Sequence, residues 1–165
     1  MIVAAVALGS SVGDRTHALR LAVRLLDATD GVRVERASPV HATAPIGGVA
    51  RGMFHNAACR VRTSLTPLDL LARAREIERR IGRRPGPRWG DRVVDVDLLL
   101  FGDRIVRQPD LVVPHPRLAE REFVLAELYA CWPEAPNPWT GRPWAEGLPV
   151  RRAWPVVGAL GPFRR

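Results

Sequence analysis

The stretch 88–102 reads RWGDRVVDVDLLLFG, and it decides the fold. Its centre alternates, so that Val94, Val96, Leu98 and Leu100 are predicted to point to one side and Asp95, Asp97 and Leu99 to the other. Alternation of apolar and β-branched residues predicts a β-strand. On a strand, Asp95 and Asp97 share one face and lie about 7 Å apart.

Two carboxylates this close need a cation nearby. Like charges at that separation repel by about 2.4 kcal/mol at an effective dielectric constant of 20. Arg side chains, a divalent metal or both would offset the repulsion, and carboxylate oxygens suit Mg²⁺ or Mn²⁺. The alternative is that Asp95 and Asp97 are solvated on an open sheet face and pair with Arg88 and Arg92.

Length and composition indicate one soluble domain, 1–165, large enough for a hydrophobic core. The chain has 165 residues, of which 47% are hydrophobic and 25% charged. The apolar start Ile2–Leu8 is too short for a signal peptide, and no stretch reaches transmembrane length, so we expect a cytoplasmic protein. Cys59 and Cys131 fit no metal-binding spacing and need no disulfide.

The charge pattern favours anionic partners. The formal net charge is +8, and the 25 basic residues are all Arg. The absence of Lys is typical of a genome-wide compositional bias rather than of local selection, but it excludes a P-loop lysine. Any phosphate must therefore be held by Arg, whose planar guanidinium suits bidentate phosphate contacts.

The remaining segments predict an α+β protein. Strands are expected at Ile2–Leu8, Val32–Ala37 and Met53–Arg62, helices from Asp14, from Thr66–Pro67 to Gly82 and over Arg121–Tyr129, and a turn at Gly9–Arg15. This order indicates a ferredoxin-like α/β sandwich with helices packed on a mostly antiparallel sheet. The tail after about residue 150 is expected to be poorly ordered.

Two polar features have open interpretations at this point. Asn56 lies on a strand with apolar neighbours, where it could bond the backbone or read the edge of a heterocycle. The basic loop Arg83–Arg88 is broken by Pro and Gly. It could be a solvated loop, or it could close over an anion held near Asp95 and Asp97.

Five stretches in order resemble a known family. They are LGSSVGDR (8–15), TAPIGG (43–48), IERRIGR (77–83), the stretch 88–102 and PHPRLAEREFVL (114–125). Over about residues 2–135 the chain resembles the 6-hydroxymethyl-7,8-dihydropterin pyrophosphokinases of folate biosynthesis. The resemblance implies transfer of pyrophosphate from ATP to the hydroxymethyl oxygen of the pterin, with release of AMP.

The resemblance also implies roles for individual residues. Asp95 and Asp97 would hold two Mg²⁺ ions on the ATP phosphates, and Arg83 and Arg92 would contact those phosphates, so these four form the expected catalytic set. The expected pterin-binding residues are Thr43, Pro45, Ile46, Phe54, Asn56, Trp89 and Phe123. The expected ATP-binding residues besides Arg83 and Arg92 are Leu71, Glu78, Leu98, His115 and Arg121. Loops around Gly47–Gly52 and Arg83–Arg92 would act as lids.

The chain departs from the family pattern at Arg51, Arg84–Pro85 and Asp91, and its tail after Pro136 matches no part of that pattern. None of these positions is an expected metal ligand or stacking residue, so we expect activity to survive. The expected mechanism is direct in-line attack without a covalent enzyme intermediate, by a monomer with no nucleic-acid or membrane partner. Three alternatives are a nucleic-acid-binding module, a nucleotidyl transferase that would release pyrophosphate, and an inactive pterin-binding homologue.

Overall fold

The computed structural model describes residues 1–45, 52–86, 90–148 and 150–163. Along this part of the chain the strands are β1 (Ile2–Ser10), β2 (Val32–Ala37), β3 (Val40–Thr43), β4 (Phe54–Thr63), β5 (Asp95–Phe101), β6 (Val106–Gln108), β7 (Leu111–Val113) and β8 (Val156–Gly158). The helices are α1 (Arg15–Asp27), α2 (Pro67–Ile81), α3 (Glu122–Cys131) and α4 (Trp144–Gly147). The strand predicted in the stretch 88–102 is confirmed as β5.

A six-stranded sheet is the centre of the fold. Its strand order is β5-β1-β4-β3-β8, and β2 also pairs with β4. Each of these pairings is antiparallel, while β6 and β7 form a separate antiparallel hairpin. The predicted α+β sandwich with a mostly antiparallel sheet is therefore confirmed.

Local sequence explains where the first two helices begin and end. The Asp14 side chain accepts a hydrogen bond from the His17 backbone N–H, and Thr66 accepts one from Asp69 before Pro67 at the first helical position. Both are standard N-terminal caps. The second helix ends where Gly82 adopts a φ of 108°, a left-handed conformation that glycine reaches without strain.

Helices cover both faces of the sheet. The first two helices and one face of the sheet form a core that contains Leu19, Ile77, Val6, Val34, Val61 and Cys59. The opposite face packs against α3 through Ala5, Ala58, Leu100 and Leu128. The two cysteines are buried and free, as expected. Val96 belongs to the core under the first two helices. Asp95 and Asp97 alternate with it along β5 and therefore lie on the face of the sheet that α3 covers.

Two details of the sequence prediction are wrong. The register of β1 against β5 shifts between Ala5 and Val6, which pair with Leu100 and Leu98. Leu99 is the extra residue of a β-bulge, so Leu100 joins the core on the α3 side rather than the side of Val96. Gly9 and Ser10, predicted in a turn, are the last two residues of β1.

The tail crosses the sheet edge and reaches α3. Strand β8 pairs with β3, and the Ala42 backbone N–H donates to the Pro155 carbonyl at 2.9 Å. Nearby, the Trp154 ring lies edge-on to Phe123 with 6.4 Å between ring centroids. The single-domain extent of 1–165 stays a prediction.

Candidate active site

A cavity of about 330 Å³ opens between β1, β4, β5 and the start of α3. Ten residues predicted from the sequence line its wall: Thr43, Phe54, Asn56, Arg83, Arg92, Asp95, Asp97, His115, Arg121 and Phe123. These residues span 81 positions of the chain, and the fold brings them to one place. The cavity has a charged end and an aromatic end.

The sheet register sets the floor of the cavity. Gly9 of β1 lies between Asn56 on one neighbouring strand and Asp95 on the other, and Ala7 lies opposite Asp97. Residues opposite each other in an antiparallel pair share a face. A Cβ atom at Gly9 would lie 3.2 Å from Asn56 Oδ1. The lack of a side chain at Gly9 therefore leaves room between the two ends of the cavity.

Ion pairs connect the side chains of the charged end. Arg83 Nη2 lies 3.0 Å and Arg92 Nη1 lies 3.4 Å from the same oxygen, Asp95 Oδ1. Arg83 also pairs with Glu78 on α2, whose Oε1 accepts the Val96 backbone N–H at 2.7 Å. Glu78 thus ties the helix to the strand that carries the two aspartates.

Burial raises two carboxyl pKa values in this cluster. The pKa of Asp95 is raised by burial and by the neighbouring Asp97, while Arg83 and Arg92 oppose the shift. Burial likewise raises the pKa of Glu78, against the Val96 N–H and Arg83. Added positive charge would stabilise the charged form of Asp95. The charged end is therefore suited to a cation.

Ser11 attaches the segment before β5 to the end of β1. Its backbone N–H donates to the Arg92 carbonyl at 2.9 Å, and its hydroxyl accepts the Arg92 N–H at 2.9 Å. The same hydroxyl donates to Asp91 Oδ1 at 3.3 Å. Asp91, one of the departures from the family pattern, thus helps to hold the backbone of Arg92.

His115 faces the charged end in a defined tautomer. Its backbone N–H donates to the Leu99 carbonyl at 2.9 Å, and its Nδ1 accepts the Arg117 N–H at 3.1 Å. Nδ1 is therefore unprotonated and Nε2 carries the proton. Burial lowers the pKa of His115 and, close by, that of Arg121. A neutral His115 can donate one hydrogen bond from Nε2.

The aromatic end combines two rings with a polar pair. Phe54 begins β4, and Phe123 lies in the first turn of α3. Between them Asn56 Nδ2 donates to Thr43 Oγ1 at 2.6 Å, with both residues buried. Rings with a hydrogen-bonding amide suit a flat, polar heterocycle.

Several predicted residues are not on the cavity wall. Leu98 is buried and Leu71 half-buried in the core on the opposite face, and Glu78 lies behind Arg83. Pro45 is described but does not line the cavity. Ile46, Arg51 and Trp89 lie outside the described residues, as do 47–51 of the first predicted lid and 87–89 of the second.

The sequence interpretation missed part of the wall. Ala7 and Gly9 contribute the floor, and Glu127 contributes a buried carboxylate. The small residues at every second position of β1 could have indicated this, because they leave room for a ligand or side chain on one face of the strand. Glu127 also had a signal, because it follows Phe123 by four residues on a helix and must share its face.

The aspartate pair fits the Mg²⁺ chemistry implied by the resemblance. Among the residues that the structure describes, no group of three or more His, Cys, Asp or Glu side chains could enclose a metal. Mg²⁺ rarely needs such a cage, since it is usually held by one or two carboxylates together with substrate phosphates. Asp95 and the exposed Asp97 provide two carboxylates beside four phosphate-binding candidates: Arg83, Arg92, His115 and Arg121.

Fold and cavity together fit one class of protein, the α+β phosphotransferases that act on a flat heterocycle. Comparison with known proteins agrees. Residues 5–133 match the family model described as 7,8-dihydro-6-hydroxymethylpterin-pyrophosphokinase. The chain belongs to this family, which confirms the resemblance found in the sequence and the activity class of an ATP-dependent diphosphotransferase in folate biosynthesis.

Curated relatives include both short and long proteins. A 2-amino-4-hydroxy-6-hydroxymethyldihydropteridine pyrophosphokinase of Bacillus subtilis is 44% identical over 126 residues, which are 76% of this chain and 75% of the relative. One with the same description from Aquifex aeolicus is 33% identical over 93% of this chain and 94% of its own length. By contrast, the chain spans only 24% of the pea folate synthesis bifunctional protein, at 42% identity.

Solved structures support the fold. The HPPK-DHPS protein of Plasmodium falciparum, crystallised with pteroate, aligns with a TM-score of 0.67 at 14% identity. The alignment covers 86% of this chain and 41% of that one. The predicted ferredoxin-like architecture is therefore confirmed at the level of the fold.

Proposed function

We propose that the cavity joins ATP and 6-hydroxymethyl-7,8-dihydropterin, with the phosphates at the charged end and the pterin at the aromatic end. The observation that carries this proposal is the register at Gly9, which puts Asn56 and Asp95 on either side of one residue without a side chain. A ring read by Asn56 then has its substituent directed toward Asp95. The two reactants meet over the floor of the sheet.

At the aromatic end, Phe54 and Phe123 stack on the two faces of the pterin. Asn56 reads its hydrogen-bonding edge, with Thr43 fixing the orientation of the amide through their 2.6 Å hydrogen bond. The family resemblance adds the backbone near Pro45 and Ile46 and the ring of Trp89. Stacking orients a planar substrate at low entropic cost because an aromatic side chain has few rotatable bonds.

At the charged end, Arg83, Arg92, His115 and Arg121 bind the phosphates of ATP. Arg83 and Arg92 pair with Asp95 through one nitrogen each, and a guanidinium has five N–H donors, so each can also donate to a phosphate oxygen. Guanidinium groups held this way neutralise charge that develops on the transferred group. Leu98 is buried, so its contribution to ATP binding is assigned to its backbone on the edge strand β5. Leu71 and Glu78 shape the same region from α2.

Asp95 and Asp97 are the proposed ligands of Mg²⁺, two ions in the family pattern. When bound, the metal would neutralise phosphate charge and orient the polyphosphate. The contribution of the chain is to hold the carboxylates at fixed spacing on a strand tied down through Glu78 and Val96.

The reaction is an in-line displacement. The pterin hydroxyl oxygen attacks the β-phosphorus of ATP, the bond from that phosphorus to the α–β bridging oxygen breaks, AMP leaves with that oxygen and its electron pair, and the hydroxyl proton passes to water. Catalysis rests on positioning and charge neutralisation, because no residue forms a covalent intermediate. The loops around Gly47–Gly52 and Arg83–Arg92 are proposed to exclude water as lids.

The proposal includes a monomer in the cytoplasm that binds small molecules and neither nucleic acid nor membrane. In the part of the chain that the structure describes, no helix is both long enough and apolar enough to cross a bilayer. The carboxylates on the sheet face would repel a nucleic-acid backbone.

A product assay tests the proposal. The protein is mixed with ATP, Mg²⁺ and 6-hydroxymethyl-7,8-dihydropterin, and AMP and the pterin diphosphate are measured. We expect AMP only when the pterin is present, and none from an Asp95→Ala, Asp97→Ala double variant. Release of pyrophosphate instead of AMP, or pterin-independent AMP, would overturn it.

A further inference from the structure

The tail segment 151–158 is attached to both sides of the aromatic end. At the start of α3, Glu122 Oε1 accepts hydrogen bonds from two successive backbone N–H groups at the beginning of the segment. At β3, the Pro155 carbonyl accepts the Ala42 N–H at 2.9 Å, and β8 continues the pairing along that strand. The segment therefore connects the first turn of a helix to the edge of the sheet.

Both attachment points are next to residues of the cavity wall. Glu122 directly precedes Phe123, and Ala42 directly precedes Thr43. Within the described residues, α3 has no side-chain hydrogen bond at its N-cap, whereas α1 and α2 each have one. An uncapped first turn is less firmly held, because its backbone N–H groups have no partner within the helix. We therefore expect the position of Phe123 to depend on the tail.

The ring of Trp154 contacts Phe123 directly. The two ring centroids are 6.4 Å apart and the ring planes are inclined by 71°, which is an edge-to-face arrangement. Trp154 is half-buried although both of its neighbours in sequence are exposed, so its side chain faces the protein. The Arg152 guanidinium lies 5.9 Å from the centroid of the same ring. Trp154 does not line the cavity, so any effect it has on a ligand must pass through Phe123, whose ring plane the edge contact restricts.

We propose that Trp154 is a positioning residue for the pterin, which acts by holding Phe123 in the plane needed for stacking. The inference rests on the proposed function, in which Phe123 stacks on one face of the pterin. A ring that is ordered before the ligand arrives loses less conformational freedom on binding, so this preorganisation raises affinity. Trp154 lies beyond residues 5–133, which match the family model, so the family pattern does not assign it a role.

The other role open to the tail is a purely structural one, as the cover of the sheet edge. Strand β8 performs that role, through backbone pairing that begins two residues after Trp154 and does not involve its ring. A structural role of the ring would change stability and affect both substrates alike. Positioning of Phe123 would affect the pterin alone.

The test is a double-mutant cycle made of Trp154→Ala and Phe123→Ala. AMP formation gives kcat, KM for the pterin and KM for ATP for each variant. We expect Trp154→Ala to raise KM for the pterin roughly twofold to tenfold, the contribution of one aromatic pair, with kcat and KM for ATP unchanged. In the Phe123→Ala background the same substitution should have no further effect, because the residue through which Trp154 acts is absent. Trp154→Phe keeps a ring and should restore most of the original KM.

Trp139→Ala is the matched control. The Trp139 ring makes an edge contact with Trp144, with 5.9 Å between centroids, and it does not line the cavity, so its removal should leave both KM values unchanged. Thermal unfolding followed by circular dichroism monitors the stability of every variant. If Trp154→Ala does not fold, Trp154→Leu, which keeps an apolar side chain without a ring, replaces it in the cycle.

The outcomes separate the two proposals. No AMP from the unsubstituted protein overturns the proposed function. AMP from the unsubstituted protein with an unchanged pterin KM in Phe123→Ala overturns the stacking role and the inference together. Where Phe123→Ala does raise that KM, three results overturn only the role of Trp154: an unchanged pterin KM in Trp154→Ala or its Leu substitute, an equal rise in KM for ATP, or the same rise in the Phe123→Ala background.

Discussion

The two ends of the cavity are built in different ways. The charged end depends on side chains that neutralise one another: Arg83 and Arg92 share Asp95, and Glu78 holds Arg83 from behind. The aromatic end depends on strand register, which places Asn56, Gly9 and Thr43 without any ion pair between them. One end is therefore held together by opposite charges, whereas the other is set by the pairing of the strands. Variants at the two ends should separate catalysis from substrate binding.

The largest expected effect is on kcat at the charged end. Asp97→Asn keeps the shape of the side chain and removes one of the two adjacent carboxylates. We expect kcat to fall on the order of a thousandfold, because metal and phosphate charge are no longer balanced at the reacting end. Pterin affinity, measured by fluorescence titration, should not change. Asp103→Asn, in an exposed turn, is the control, and a kcat above about a tenth of the original value would contradict the role of Asp97.

A second prediction concerns stability at the aromatic end as a function of pH. The pKa of Glu127 is raised from 4.5 to about 7, so the folded state binds more protons than the unfolded state between these values. The free energy of unfolding therefore falls as pH rises through this window and stays lowered above it. Glu127→Gln lacks this loss and should gain on the order of 2 kcal/mol relative to the original protein by neutral pH.

Urea denaturation from pH 4 to 8 measures this difference. The Glu134→Gln control should follow the unsubstituted protein, since its side chain is largely exposed. If the free energy of unfolding of Glu127→Gln and of the unsubstituted protein depends on pH in the same way, burial does not raise the pKa of the Glu127 carboxyl.

A third prediction isolates ring stacking. Phe123→Ala should weaken pterin binding by roughly tenfold, because stacking of aromatic rings is worth about 0.5–1.5 kcal/mol in addition to buried area. Phe123→Leu keeps an apolar side chain without a ring, and its loss of pterin affinity should be smaller. Calorimetric titration with pterin and with an ATP analogue measures the binding affinity at each end of the cavity. An equal loss of affinity for the ATP analogue would mean that the two ends are not separable.

The smallest expected effect lies between the two ends. Gly9→Ala adds a Cβ atom 3.2 Å from Asn56 Oδ1, and the amide must shift by a few tenths of an ångström. We expect KM for the pterin to rise by roughly twofold to fivefold, with KM for ATP unchanged. Gly147→Ala, where a Cβ atom would meet nothing within 4 Å, is the control. A larger rise in KM for ATP than in KM for the pterin would assign Gly9 to the charged end.

Much of this architecture is readable from local signals. The alternation in β5 predicts that Asp95 and Asp97 share a face, and Thr66, Pro67 and Gly82 mark the ends of α2. These signals succeed because strand period and helix capping depend on residues close in sequence. The resemblance to a family then supplied the residues at distant positions, ten of which the fold brings to the cavity.

The failures have physical reasons. Leu100 faces the other core because a bulge interrupts the strand period, and a bulge depends on the partner strand rather than on β5 alone. In the sequence Gly9 is typical of a turn, but in the structure its lack of a side chain lets the Asn56 amide lie close to β1. Glu127 was missed because a single Glu on an apolar helix usually faces solvent, and only the position of the sheet shows that this one does not.

The pairing of β8 with β3 has a consequence for behaviour in solution. Strand β3 is only four residues long, and β8 covers the hydrogen-bonding groups on its outer side. Exposed strand edges act as templates for intermolecular strand addition. A chain shortened before Val156 would carry an open edge on the strand that ends at Thr43, so its first defect would be self-association at high concentration, before any loss of chemistry.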